Sequence, residues 1–67
     1  MLLEDIEEHI RQNPGRTATE IAKALFGDHG YHQRVNNHCL ALTLAKRVER
    51  KGTGGPGDPY TYHPPDP

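Results

Sequence analysis

Apolar side chains return along this chain at intervals that predict its elements. Leu2, Leu3, Ile6 and Ile10 fall at helical spacing, with Glu4, Asp5, Glu7 and Glu8 between them. That pattern predicts an amphipathic helix over residues 2–12. Its early acids suit the positive end of the helix dipole, and its carboxylates form a solvated face. Asn13-Pro14-Gly15 stops it, because proline cannot continue the ladder and glycine accepts the left-handed turn. Thr17-Ala18-Thr19-Glu20 has capping-box spacing, a threonine followed three residues later by a glutamate. Ala18, Ile21, Ala22 and Leu25 then form one helical stripe whose small residues admit a close neighbour, and Gly27 stands at the C-terminal cap.

Residues 28–32 read as a turn. Val35, Cys39 and Leu42 mark the buried side of a third helix over residues 32–45, with Gln33, Arg34, Asn36 and Asn37 on its polar side. After it, Arg47-Val48-Glu49-Arg50-Lys51 alternates with Val48 inward, and Tyr60-Thr61-Tyr62-His63 alternates with both tyrosines on one side. Residues 52–59 are too rich in glycine and proline for helix or regular strand. Two alternating segments around such a loop predict a β-hairpin with a mobile tip. An isolated hairpin is marginal, so Val48, Tyr60 and Tyr62 are expected to pack on the helices. The fold class is therefore mainly α with a small β-hairpin. Residues 1–63 form one domain, and residues 64–67 a disordered Pro-rich tail.

Composition narrows the picture. With 67 residues and 33% hydrophobic residues, one small core is all the chain can build. One cysteine excludes an internal disulfide, which fits a reducing compartment. The absence of a long apolar run or a leader pattern places the chain in the cytoplasm. The net charge of −1 hides an asymmetry. Residues 1–20 balance at −3, residues 21–51 at +4 and the remainder at −2. A basic middle beside an acidic first helix is expected of a domain that turns one face to phosphates.

In order and spacing, residues 2–63 resemble the winged helix-turn-helix regulators of bacteria and their phages. Thr17-Ala-Thr-Glu-Ile-Ala-Lys-Ala-Leu looks like that family's second helix. The pattern Val35-x-x-x-Cys39-x-x-Leu42-x-x-x-Lys46-x-Val48 is similar to its recognition helix, helix end and first wing strand. The family commonly has glycine where Lys46 stands. In size and architecture the chain is also similar to the small fimbrial-operon regulators of the PapI and FaeA type. The resemblance implies that the third helix enters the major groove of double-stranded DNA while the hairpin lies along the backbone. Gln33, Arg34, Asn36 and Asn37 would reach base edges and phosphates; Lys46, Arg50, Lys51 and Thr53 would contact phosphates, with backbone amides of the wing tip. Val35-Asn36 and the wing are similar, too, to Z-nucleic-acid-binding domains. Those place a tyrosine at the position of Leu40 and a basic residue at that of Asn37, and both departures count against left-handed DNA.

Other chemistries fare worse. His29, His32, His38 and Cys39 have spacings that suit metal ligands. Cys39, however, lies on the core stripe, and His29 and His32 precede the recognition helix, where solvent or phosphate contact is the plainer role. No metal, cofactor or small-molecule substrate is expected. The chain has no serine, and its glycine-rich loop lacks the strand–loop–helix setting of a phosphate cradle. An enzyme is not expected. Leu40 and Leu44 fall roughly opposite Val35 and Leu42. Leu44 is expected to pack on helix 1 or the N-terminus. Otherwise the pair serves as a contact for a second copy or a partner protein. A winged helix that binds proteins without touching DNA is the rival reading.

Overall fold

The computed structural model describes residues 2–28 and 30–66. Its elements run α1 (Leu2–Gln12), α2 (Ala18–Phe26), α3 (His32–Leu44), β1 (Glu49–Lys51) and β2 (Thr61–His63). The two strands pair antiparallel, with Glu49 opposite His63, Arg50 opposite Tyr62 and Lys51 opposite Thr61. Three helices followed by a two-stranded hairpin make a mainly α domain, consistent with a winged-helix architecture. Its radius of gyration is 10.9 Å, against about 11 Å expected for a compact chain of this length.

The core collects one stripe from each helix. Ile6 and Ile10 of α1, Ala18, Ile21 and Ala22 of α2, and Val35, Cys39 and Leu42 of α3 are buried together with Val48 and Tyr62 from the hairpin. Each of the large aliphatics contributes about 1.5–3 kcal/mol by leaving water. Tyr62 is the largest fully buried side chain, and it anchors the hairpin to the helices. Leu3, on the predicted stripe of α1, is instead exposed.

Local sequence sets the helix ends. The Thr17 hydroxyl accepts from the Glu20 amide at 3.2 Å while the Glu20 carboxylate accepts from the Thr17 amide at 2.9 Å, a complete capping box worth about 1 kcal/mol. Gly27 closes α2 at φ 65. The end of α3 departs from ordinary residue preference. The Lys46 amide donates to the Thr43 carbonyl and the Arg47 amide to that of Leu42. This pair of bonds defines a Schellman motif and requires a left-handed residue between them. Lys46 occupies that position at φ 61, the only non-glycine with positive φ among the described residues. A left-handed position that glycine ordinarily fills is thus held here by a lysine, at a cost of about 1 kcal/mol.

Two expectations about charged and apolar groups are corrected. The carboxylates of α1 are not all solvated: Glu7 is buried and takes Arg11 Nη2 and Arg47 Nε, each at 3.0 Å. Helical periodicity places Glu7 next to Ile6 at the edge of the stripe, and a guanidinium forty positions later lets it stay there. Leu44 does not pack on α1. It is 75% exposed, because α3 turns its Val35–Cys39–Leu42 stripe inward and carries Leu44 away from it.

The hairpin is tied to the helices by more than side chains. The Gly15 amide donates to the Tyr62 carbonyl at 2.9 Å, and the Tyr62 amide donates to that of Arg16 at 3.0 Å. The α1–α2 loop thereby adds a bridge beside β2 that no sequence pattern announced. Gly15, at φ 88, supplies the turn. Residues 64–66 follow without regular structure.

Candidate nucleic-acid interface

The residues expected to touch DNA divide into two groups and two outliers. Gln33, Arg34 and Asn37 line one concavity at the start of α3, together with Gly30 and Tyr31. Lys46, Arg50 and Lys51 line a second, a cleft of roughly 620 Å³ between the end of α3 and β1, which Thr43, Glu49 and Asp66 also border. Asn36 lies half-buried outside both concavities, and Thr53 lies in the wing tip.

At the start of α3, Gln33 and Asn37 share a face one turn apart, and the Gln33 amide donates to Asn37 Oδ1 at 3.2 Å. The bond is exposed, so water or a base edge can replace it at little cost. Arg34 carries its guanidinium 5.4 Å from the centre of the Tyr31 ring. That ring in turn meets Phe26 at 5.1 Å, tilted by 45°. Tyr31 stands at the N-cap position, where its side chain makes no capping bond. His32 opens the helix rather than closing the turn, and His29 lies outside the described residues.

The wing carries a tighter arrangement. The Arg50 guanidinium lies 3.9 Å from the centre of the Tyr60 ring, a cation–π contact worth about 0.5–1 kcal/mol at an exposed site. Register explains the meeting. Arg50 stands opposite Tyr62, and alternation puts Tyr60 on the same face as Tyr62. The ring also closes on Gly54, where a Cβ would come within 2.6 Å of its Cε2. Beyond it the tip folds on itself. The Gly54 amide donates to the Asp58 carbonyl, the Asp58 amide to that of Gly55, and the Thr53 amide to the Asp58 carboxylate. The amides of Thr53 and Gly54, two of those expected to face phosphates, are therefore spent inside the loop. Asp58 also sets a negative charge beside Thr53.

Charge sorts the cations further. Arg47 is committed to Glu7, whereas Arg34, Lys46, Arg50 and Lys51 are exposed and make no ion pair among the described residues. Burial pushes the Cys39 thiol up to about 12, so it is an inert core group and not a nucleophile or ready ligand. Burial also raises the Tyr62 phenol, with the Arg50 guanidinium pulling the other way. Among the described residues no three His, Cys, Asp or Glu side chains gather as metal ligands do, and no helix is long and apolar enough to cross a membrane.

Sequence reasoning missed Tyr31 and Tyr60 as partners of the interface arginines. The available signal for Tyr60 was its two-residue offset from the buried Tyr62 on an alternating strand, with glycines across the loop to admit a ring. Comparison with known proteins gives no match to a family model, a curated protein or a solved structure.

Proposed function

We propose that this chain is a non-enzymatic domain that binds double-stranded DNA through the N-terminal half of α3 and the wing, as a small transcriptional regulator does. The observation that carries the reading is the sorting of cations. Four basic side chains without an ion pair among the described residues stand on or just after α3 and on the wing, while Arg47 between them is spent on the buried Glu7 carboxylate. Short amides beside Arg34 suit base edges in the major groove, while Lys46, Arg50 and Lys51 suit phosphates. Titrating labelled, pooled duplexes at low salt tests it, with binding expected to weaken as salt rises. Absence of binding, or binding indifferent to salt, would refute it. Arg34→Ala or Asn37→Ala should relax sequence preference, and Lys51→Ala should weaken every duplex alike.

A second feature favours an additional role. Leu44 at 75% exposure and Leu40 at 41% lie one turn apart on α3. The occupant that best fits this pair is a second copy of the chain. One copy offers four cations, a weak grip, and a two-fold dimer would double them on adjacent half-sites. Light scattering across concentration checks this: a dimer is expected, and Leu44→Glu should abolish it. A monomer at every concentration would rule it out.

A further inference from the structure

We propose that Tyr60 is the positioning residue of the wing, holding the Arg50 guanidinium in place to receive a DNA phosphate. This rests on the duplex-binding reading above and names a device within it. An arginine on a two-stranded hairpin ordinarily samples many rotamers, and ordering it on binding reduces affinity. Here the guanidinium carbon lies over a ring, 3.9 Å from its centre, and the ring itself has little freedom. Gly54 closes on one side, with space for no Cβ. Tyr60 also packs against the buried core cluster, and the tip beyond is tied by the bonds at Asp58. Gly52 completes the frame: a Cβ there would come within 2.6 Å of the Pro59 carbonyl oxygen, so the loop can close tightly enough to bring residue 60 back to residue 50. A guanidinium held over a ring keeps N–H groups at its edge, and those not turned to the Tyr62 phenol can reach phosphate oxygens. Arg50 shares its cleft with Lys46 and Lys51, against the carboxylates of Glu49 and Asp66, so the cations are in excess there and Arg50 is the one ordered before DNA arrives.

Affinity for one duplex at fixed salt should be measured for wild type, Tyr60→Leu, Tyr60→Phe, Arg50→Ala and the Tyr60→Leu/Arg50→Ala double variant, each with its melting temperature. Arg50→Ala and Tyr60→Leu are each expected to weaken binding about fivefold to tenfold. The double variant should be no weaker than Arg50→Ala alone, since Tyr60 acts only through the arginine. Tyr60→Phe keeps the ring and should bind as wild type. A readout independent of DNA accompanies these. In the free protein the Arg50 side-chain protons should show upfield ring-current shifts, kept in Tyr60→Phe and lost in Tyr60→Leu. If the wild type binds duplex and the two substitutions multiply, or the ring-current shift is absent, the positioning role fails while the duplex reading stands. If the wild type binds no duplex, both fail. Should Tyr60→Leu lower the melting temperature enough to unfold the wing, Arg50→Lys decides: it keeps the charge, loses the guanidinium over the ring, and should still bind several-fold more weakly than wild type. Wild-type affinity in Arg50→Lys would overturn the proposal.

Discussion

Arg47 and Arg50 stand three positions apart at the entrance to the hairpin, and their surroundings divide the molecule into two regions. On the α1 side, Arg47 reaches back across the sequence to a carboxylate that is 7% exposed and satisfies both its oxygens. On the wing side, Arg50 meets a tyrosine ring and no acid. The first arrangement neutralises charge and fixes α1 to the junction of α3 and the hairpin. The second leaves charge available at the surface while restricting its position. Counting basic residues along the chain treats the two alike. Their neighbours in space make one a structural tie and leave the other a surface cation without an ion pair among the described residues.

The comparison can be broken from either side. The largest effect is expected on the wing. Replacing Lys46, Arg50 and Lys51 together by glutamine should lower duplex affinity about 10²- to 10³-fold near 0.1 M salt and flatten the salt slope by about three contacts, with little change in melting temperature. A comparable loss of stability would instead mean that these cations hold the fold. Next comes the core beneath the wing. The Cys39 thiol, raised to about 12, titrates later in the folded than in the unfolded chain. Stability conferred by keeping it neutral is therefore complete below its unfolded value, near 9. Above that it falls by about 1.4 kcal/mol per pH unit until the folded value is reached. Tyr62, raised in the same direction, steepens the fall. Thermal melts between pH 7 and 11 should show this loss, and Cys39→Ala should reduce the slope although its baseline stability is lower.

Much of the fold was legible because the signals were local. The three stripes, the Thr17–Glu20 box and the glycine stops each act within one or two turns, and tyrosines at residues 60 and 62 marked the hairpin's inner face. What escaped prediction depends on residues far apart in sequence. The burial of Glu7 requires Arg47, and the bridge from Arg16 to Tyr62 joins a loop to the last strand. The cations of the candidate interface were legible in the charge pattern along the chain. Their separation from Arg47, and the stack that orders Arg50, follow from register and packing. Leu44 went the wrong way for the same reason: periodicity says which side of α3 it occupies, and only the placement of α1 says whether anything covers it.

Two smaller effects sharpen the contrast. Arg47→Met removes one partner of a buried carboxylate and should cost about 1–2 kcal/mol, lowering the melting temperature by about 5–10 °C while leaving the salt slope of DNA binding unchanged. Lys46→Gly should move the two properties in opposite directions. Relief of the left-handed strain at φ 61 should add about 0.5–1 kcal/mol of stability, while the loss of one cation from the cleft should weaken DNA binding by about threefold. A lysine whose replacement by glycine leaves binding untouched would have no place in the interface.

The measurement that bears most directly on the central claim is the salt dependence of duplex affinity, taken side by side for wild type, Arg50→Ala and Arg47→Ala. If the four unpaired cations of α3 and the wing are the contacts, the wild type should give a log–log slope of about −3 to −4 per copy bound. Arg50→Ala should make that slope shallower by about one, and Arg47→Ala should leave it where it was. No wild-type binding, or equal changes in the two variants, would contradict the assignment of α3 and the wing as a DNA-binding face.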